Sequence, residues 1–440
     1  MTVAKTAQAD RIIARCRELA LCTEVHGEIT RTFLAPSMHR VHSLVGGWMR
    51  DAGMQVQVDA VGNLRGILPA ANSGAPRLLI GSHLDTVVNA GAFDGILGVV
   101  LGVAVVEQLV EDARAASSEA PQPFEIEVVG FSEEEGVRFA MPFLGSLALI
   151  GELDTATLAR SDRNGITVAN AIRNFGLNSA ELSAAALRDS AFGYLELHIE
   201  QGPVLESEGR TLAVVDAIAG QTRMEFIFTG QANHAGTTPM GSLRHDALAA
   251  AAQWIVEVER YANACPDLVA TVGKVESGSG AGNVIAGRLT ATLDVRHAYD
   301  EVRHAAVRHY VDYAQAAATA RRCSAAHTTA IDQPAVPMDA RLSGLLAAAA
   351  VRATGHEPRW MTSGAGHDAM IVARRLPAAM LFLRTPGGLS HHPDEAVLAE
   401  DVEAAFATGV EFLRSLRDDR AMLARITAST SPATREDLHA

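Results

Sequence analysis

The sequence predicts an α/β protein with a central mixed sheet flanked by helices, interrupted by a smaller inserted α+β unit. Two changes of texture carry that expectation. The first half alternates short β-branched runs with helical stretches. From about Leu212 the strands are instead separated by two long helical segments, and after the proline-bearing stretch Asp332–Pro337 the first texture returns. At 440 residues the chain also exceeds one ordinary core. Residues 1–212 and 330–440 are therefore expected to form one domain, and 213–329 the other.

In the first domain, strands are expected at Met54–Val58, Arg77–Ile80, Phe124–Phe131 and Tyr194–Ile199. The apolar stretch Ile96–Val110, with small Gly98 and Gly102, reads as a helix buried against the sheet, and Asp112–Pro123 as a charged loop. Strands Met224–Gly230, Ala270–Glu276 and Arg288–Val295, with helices Leu243–Ala264 and Glu301–Arg321, make the insert a compact unit with an open antiparallel sheet, ferredoxin-like in order. Helices Ala340–Ala353 and Ala399–Leu416 then flank the apolar strand Ala378–Leu383, and the tail after Thr427 reads as a frayed end.

A formal charge of -14 and a pI near 5.6 argue against nucleic acid or an anionic membrane as partner, since both need a basic face. A small acidic substrate would need locally placed cations. Arg11, Arg15, Arg17 and Glu18 interrupt the apolar run a signal peptide would require, and no stretch suits a membrane span. The four cysteines, Cys16, Cys22, Cys265 and Cys323, form no CxxC pair, so a reducing cytoplasm is expected.

Five motifs carry the chemistry. GSHLDTV places His83 and Asp85 just past a strand, where open α/β sheets bind ligands, with Asp85 spaced to orient His83. In AGAFDG, Asp94 lies between Gly91 and Gly95, and one aspartate can bridge two cations. The three carboxylates of FSEEEG repel one another; at a strand end a divalent cation or a shared proton relieves them, one glutamate ligating and its neighbour serving as base. LELHIEQG puts His198 and Glu200 on one side of a strand, and GLSHHPDE carries His391 and His392 in a polar loop. Singly, each has a bland reading as a structural histidine or a solvated acidic turn. Together they suit a catalytic centre for Zn²⁺, Mn²⁺ or Co²⁺, because imidazole and carboxylate are mixed without thiolate.

With these strings the sequence resembles the hydantoinase/carbamoylase amidases, a family that includes N-carbamoyl-L-amino acid hydrolases, β-ureidopropionases and allantoate amidohydrolases, within the clan of aminoacylases and co-catalytic metallopeptidases. The resemblance runs from about Gly46 to Leu416 and rests on GSHLDTV, GAFDGILGV, SEEEGVRF, LELHIEQGPVLE, GQANHAGTTPM, NVIAG, SGAGHDA and GLSHHPDE. It implies a metallopeptidase-like catalytic domain with a ferredoxin-like lid and dimerisation domain. It further implies two divalent ions per subunit, Zn²⁺ foremost and Mn²⁺, Co²⁺ or Ni²⁺ as the others. His83, Asp94 and His198 would hold one ion, and Asp94, Glu135 and His391 the second, with Glu134 as general base. Glu134 and Glu135 are chosen by counting back from Gly136, and His391 over His392 by its four-residue spacing to Glu395. Glu133 is left as a supporting or solvated acid.

His234, in GQANHAGTTPM, would polarise the scissile carbonyl in the partner subunit of a homodimer, and Asn283 and Arg296 would bind the substrate carboxylate. Gln201, His367 and the backbone around Gly364 are further pocket candidates. For Arg296 the bland alternative is an ion pair with Asp294. The implied reaction is hydrolysis of the carbamoyl C–N bond of an N-carbamoyl-L-amino acid or related ureido acid, with allantoate as the competing substrate. A dipeptidase or aminoacylase is disfavoured by His198 at a position where many clan peptidases carry a carboxylate, and a non-catalytic binding protein by the presence of every ligand and the base.

Overall fold

A computed structural model describes residues 2–115, 122–278, 281–419, 423, 424 and 427. The expected frayed tail beyond Thr427 lies outside them, as do residues 116–121 of the expected loop. The chain forms two compact units. Met1–Asp216, Met338–Met361 and Gly366–Ala440 make the first, and Ala217–Pro337 with Thr362–Ala365 the second. Among the described residues no helix is long and apolar enough to cross a membrane.

Four parallel strands form the heart of the first unit's sheet, in the order Glu125–Phe131, Arg77–His83, Ala191–Ile199, Ala378–Leu383. Their burial on both faces explains why they read as continuous apolar runs rather than alternating ones. Antiparallel strands flank them: Leu64–Leu68 and Gln55–Val58 on one side, Leu212–Ile218 on the other. Inside the sheet Glu127 is fully buried, and the guanidinium groups of Arg65 and Arg77 neutralise it. In register, His83 lies opposite Phe131 and His198 opposite Phe382, so the C-terminal ends of all four strands share one edge.

Two expectations are corrected here. The strand beginning at Arg77 continues through His83 instead of stopping at Ile80, because Gly81, Ser82 and His83 still pair with Val129, Gly130 and Phe131. The helix beginning at Ile96 runs to Ala115, so Asp112–Ala115 is helical rather than part of a loop. The charge there misled: Asp112 accepts a hydrogen bond from Gln108 one turn back and pairs with Arg414, and both contacts suit a helix surface. The first part of this helix, residues 96–106, is apolar on all sides because sheet and helices enclose it.

In the second unit, the antiparallel sheet has the order Ser324–Gln333, Gly220–Thr229, Arg288–His297, Val269–Thr271. Helices Ala247–Ala264 and Asp300–Thr319 pack on one face, and strand residues alternate accordingly, with Met224, Phe226, Phe228, Leu289, Ala291 and Leu293 turned into a core around Trp254 and Tyr310. The chain order, strand–helix–strand–strand–helix–strand, is ferredoxin-like. The expected strand Ala270–Glu276 is broken into Val269–Thr271 and Val275–Ser277, each pairing with its own part of Arg288–His297 around the Gly273 interruption. The last strand escapes sequence reading: SAAHTTAIDQ is an exposed edge with no apolar alternation.

Gly98 sets how closely the buried helix approaches the sheet. A Cβ there would sit 2.1 Å from the Leu197 carbonyl oxygen, a backbone atom that cannot yield without moving the strand. Gly98→Ala is expected to destabilise the first unit by about 1–3 kcal/mol, the usual penalty of overpacking, read as a lower urea midpoint by far-UV dichroism. An unchanged midpoint would show that the helix can shift freely.

Candidate metal centre

The shared strand edge gathers the acidic and imidazole groups. His83 ends its strand, Glu133–Glu135 follow the neighbouring one, His198 sits one residue before its strand's end, and Asp94 lies between a strand and the buried helix. Side-chain donor atoms of His83, Asp94 and His198 come together, and so do those of Asp94, Glu135 and His391. Asp94 belongs to both groups: its Oδ1 is 3.2 Å from His198 Nε2 and 3.8 Å from His83 Nε2, and its Oδ2 is 3.2 Å from His391 Nε2. His391 Nε2 is also 3.4 Å from Glu135 Oε1. His392 turns elsewhere, its Nδ1 accepting the Asp394 amide at 3.1 Å.

The local backbone explains the convergence. Gly95 has φ +68°, and a Cβ there would lie 2.4 Å from the His83 ring, so only glycine lets the Asp94 loop pass this close. Asp85 ties two ligand segments together: its carboxylate accepts the Glu134 and Glu135 amides at 3.0 and 3.1 Å and lies 3.5 Å from His83 Nδ1. Asn63 secures the same acidic turn by accepting the Ser132 amide at 3.1 Å while donating to Asp59 and to the Gly145 carbonyl.

The protons point to a cation. His198 Nδ1 donates to the Ile199 carbonyl at 2.9 Å, which leaves the Nε2 lone pair facing Asp94 Oδ1. Two lone pairs at that distance repel unless a proton or a metal lies between them. Burial, outweighing the attraction of Asp94, pushes the His198 imidazolium down to about 4, so a proton is disfavoured. His83 Nδ1 faces the Asp85 carbonyl at 3.1 Å, leaving Nε2 toward Asp94; burial opposes its protonation, but the Asp85, Glu134 and Asp94 carboxylates raise this imidazole well above its ordinary value.

The carboxylates argue the same way. Burial, with Asp94 beside it, pushes Glu135 up to about 7. Glu134 rises well above the ordinary carboxyl range, chiefly through burial; His83 opposes the shift, while Glu135, Asp368 and Asp85 add to it. Such acids, gathered with imidazoles and without a described lysine or arginine ion-paired to Asp94, Glu134 or Glu135, form a donor set that fits a divalent cation.

Other sequence candidates fall in several places. Glu133 is fully buried, so its reading as a solvated acid is wrong; burial and the charges of Asp85 and Glu135 raise its pKa well above normal. Glu200 accepts the Val204 and Leu205 amides and so caps a short helical turn. Gln201 donates to both Asp94 oxygens at 3.1 and 3.0 Å from a left-handed backbone. His367 is buried with its ring 4.6 Å from that of His198.

In the second unit His234 pairs with Val284 in a short antiparallel bridge, which brings the neighbouring Asn283 close, the Ala235 amide donating to the Asn283 carbonyl at 2.9 Å. His234 Nδ1 accepts the Gly236 and Thr237 amides, which places its ring proton on the exposed Nε2. Arg296 grips Asp294 with two hydrogen bonds of 2.9 and 3.0 Å and donates to the Gly364 carbonyl, so the ion pair set aside as the bland alternative does form.

Sequence reasoning missed Asn63, Glu196 and Asp368. Glu196 accepts from Ser82, Tyr194 and the Ala369 amide, and it shares with His198 and His367 a further group of converging donor atoms. Its signal was present, since alternation along LELHIEQG puts Glu196 on the face of His198. Asn63 in VGNLRG offered none.

Comparison with known proteins agrees with this geometry. Residues 79–416 match peptidase family M20/M25/M40. The chain is 39% identical to allantoate deiminase 2 of Glycine max, covering 92% of this chain and 89% of that one. It is 38% identical to the N-carbamoyl-L-amino acid amidohydrolase of Geobacillus stearothermophilus, covering 92% and 97%. The crystal structure of a hydantoinase/carbamoylase family amidase from Burkholderia multivorans superposes with a TM-score of 0.85 at 31% identity, over 93% of this chain and 98% of that one. A family match spanning most of the chain, together with near full-length relatives, establishes that this protein belongs to peptidase family M20/M25/M40 and, within it, to the hydantoinase/carbamoylase amidases.

Proposed function

We propose that this protein is a metal-dependent amidohydrolase that cleaves the carbamoyl C–N bond of an N-carbamoyl-L-amino acid or a related ureido acid, releasing ammonia, CO₂ and the amino acid. The convergence of three histidines and Glu135 on one buried aspartate, with the protonatable Glu134 beside them, carries the reading. His83, Asp94 and His198 would hold one divalent ion and Asp94, Glu135 and His391 the other, with Zn²⁺ the first candidate. Such ions, when bound, acidify water and polarise carbonyl oxygens.

The chain's own groups do the remaining work. Glu134, with its raised proton affinity, accepts the proton of the attacking water and passes it to the leaving nitrogen. His234, with its proton on Nε2, donates to the developing oxyanion; losing such a donor slows turnover roughly 100- to 1,000-fold. Arg296 and Asn283 hold the substrate carboxylate. A depression of about 750 Å³ beside Arg296, lined also by Arg223, Thr271, Thr292 and Gly364, supports this assignment. Gln201 and His367 complete the substrate contacts. We further assign the enzyme to a homodimer that shares these residues, and to the cytoplasm, where its four free thiols would stay reduced. A second reading, allantoate as the ureido acid, is favoured by the likeness to the Glycine max allantoate deiminase.

An ammonia-release assay on metal-loaded protein, comparing N-carbamoyl-L-amino acids, N-carbamoyl-β-alanine and allantoate, tests the function; no release from any of them would refute it. Glu134→Gln is expected to keep its metal content but lose at least about 100-fold in kcat, the contribution typical of a general base. Arg296→Ala should raise KM for these acids by roughly tenfold or more, as expected for a lost charge-assisted hydrogen bond, and an unchanged KM would remove Arg296 from the pocket. Full activity in a monomer on a sizing column would contradict the shared-residue dimer.

Metal removal has a signed consequence. Glu135, Glu196 and Glu395, each held up to about 7, keep protons in the folded chain that the unfolded chain releases near 4.5. The metal-free protein therefore loses stability as pH rises from 4.5 through about 7. A bound cation takes over that charge, so added Mn²⁺ or Zn²⁺ should raise the thermal midpoint more at about pH 8 than at about pH 5. An equal gain at both pH values would count against a buried carboxylate centre.

A further inference from the structure

Glu395 enters the sequence pattern only as a spacing mark, yet it is buried against the loop that carries Asp94. Its Oε1 accepts the Phe93 amide at 2.8 Å and the Asp94 amide at 3.0 Å, contacts that span about 300 residues of sequence. Its Oε2 is 3.4 Å from Ser390 Oγ, which donates to Asp94 Oδ2 at 3.2 Å. The Glu395 amide in turn donates to the His392 carbonyl at 3.0 Å, closing the turn that begins beside His391. Gly91 makes room: a Cβ there would lie 2.3 Å from Glu395 Cβ and 2.4 Å from Oε1.

His391 has little else to hold it. It sits in an irregular loop, with φ +56° and a half-exposed side chain. The two groups that would share one cation with Glu135, Asp94 and His391, thus stand on separate loops, and Glu395 belongs to one while gripping the backbone of the other.

We infer that Glu395 is a positioning residue for the cation centre: it latches the His391 loop to the Asp94 loop and so sets the separation of the two ligands. This rests on the metal-centre reading above. Backbone amides are the partners it takes, and they carry no identity information, so the latch fixes distance and leaves the choice of ion to the ligands. A carboxylate suits the task because one oxygen can accept two adjacent amides while the other steadies Ser390. Groups that orient ligands in this way change affinity for the ion rather than the chemistry performed on substrate.

The test is calorimetric titration of the chelator-stripped full chain with Mn²⁺. Glu395→Ala should weaken Mn²⁺ binding roughly 10- to 100-fold, the range for loss of a group that orients a ligand. Glu395→Gln keeps an acceptor oxygen for the two amides and should recover most of that loss. Gly91→Ala, whose methyl would displace the carboxylate without removing it, should lose affinity in the same direction and serves if Glu395→Ala does not fold. Combining His391→Ala with Glu395→Ala should lose less than the product of the two single losses, because once His391 is gone the latch has one ligand fewer to place. Equal Mn²⁺ affinity in wild type and Glu395→Ala, or fully multiplicative losses in the pair, would overturn the latch alone. A wild-type chain that takes up no Mn²⁺ would overturn the latch and the metal centre together.

Discussion

A carboxylate buried as deeply as that of Asp94 must have its charge met from close by, since transfer from water to a protein interior is costly for an unpaired ion. Gln201 and Ser390 donate to it here, and three imidazoles converge on it, each arriving from a different segment. Asp85 and Gly95 bring His83 and Asp94 within reach of each other, and the parallel register carries His198 and the glutamate turn to the same edge. If that one group moved, the two donor sets that share it would separate. The apolar helix behind it and the buried strands beneath it are the rigid support that such placement needs.

How much of this was legible follows from which forces act locally. The parallel strands could be read because burial on both faces writes a continuous apolar run into the sequence. The Ile96 helix was found but cut short, since polarity at Asp112 marks a helix surface as readily as a loop. Ser324–Gln333 was invisible, because an exposed edge strand is held by backbone pairing and its side chains need carry no pattern. In the centre, glycine-flanked Asp94 and the histidines were legible as residue types at strand ends. The burial of Glu133 and the grip of Asn63 on the acidic turn were not. Both depend on partners dozens of positions away, and no local rule encodes those.

The second unit solves a different problem. Its groups are exposed or only partly buried, so hydrogen bonds more than close packing set their orientation. Two backbone amides settle the tautomer of His234, and Asp294 holds the Arg296 guanidinium flat against its own carboxylate. Asp294 also accepts from Gln221 and Arg223, and this surplus of donors keeps its charge well satisfied. In the proposed reaction a substrate carboxylate meets an arginine already committed to an acid, which favours ligands able to add to that pair without displacing Asp294.

The strand Ala378–Leu383 lies between Ala191–Ile199 and Leu212–Ile218, although about 160 residues separate it from the nearer of them in the chain. During synthesis, the middle of the sheet is therefore the last of its strands to leave the ribosome. Until it arrives, two apolar strand edges stand open, each able to pair with the wrong neighbour. Folding of the first unit must wait on sequence contacts of long range, which makes it slow by topology alone. The second unit, whose strands and helices are contiguous, has no such wait: it is complete in the chain while the first still lacks its central strand.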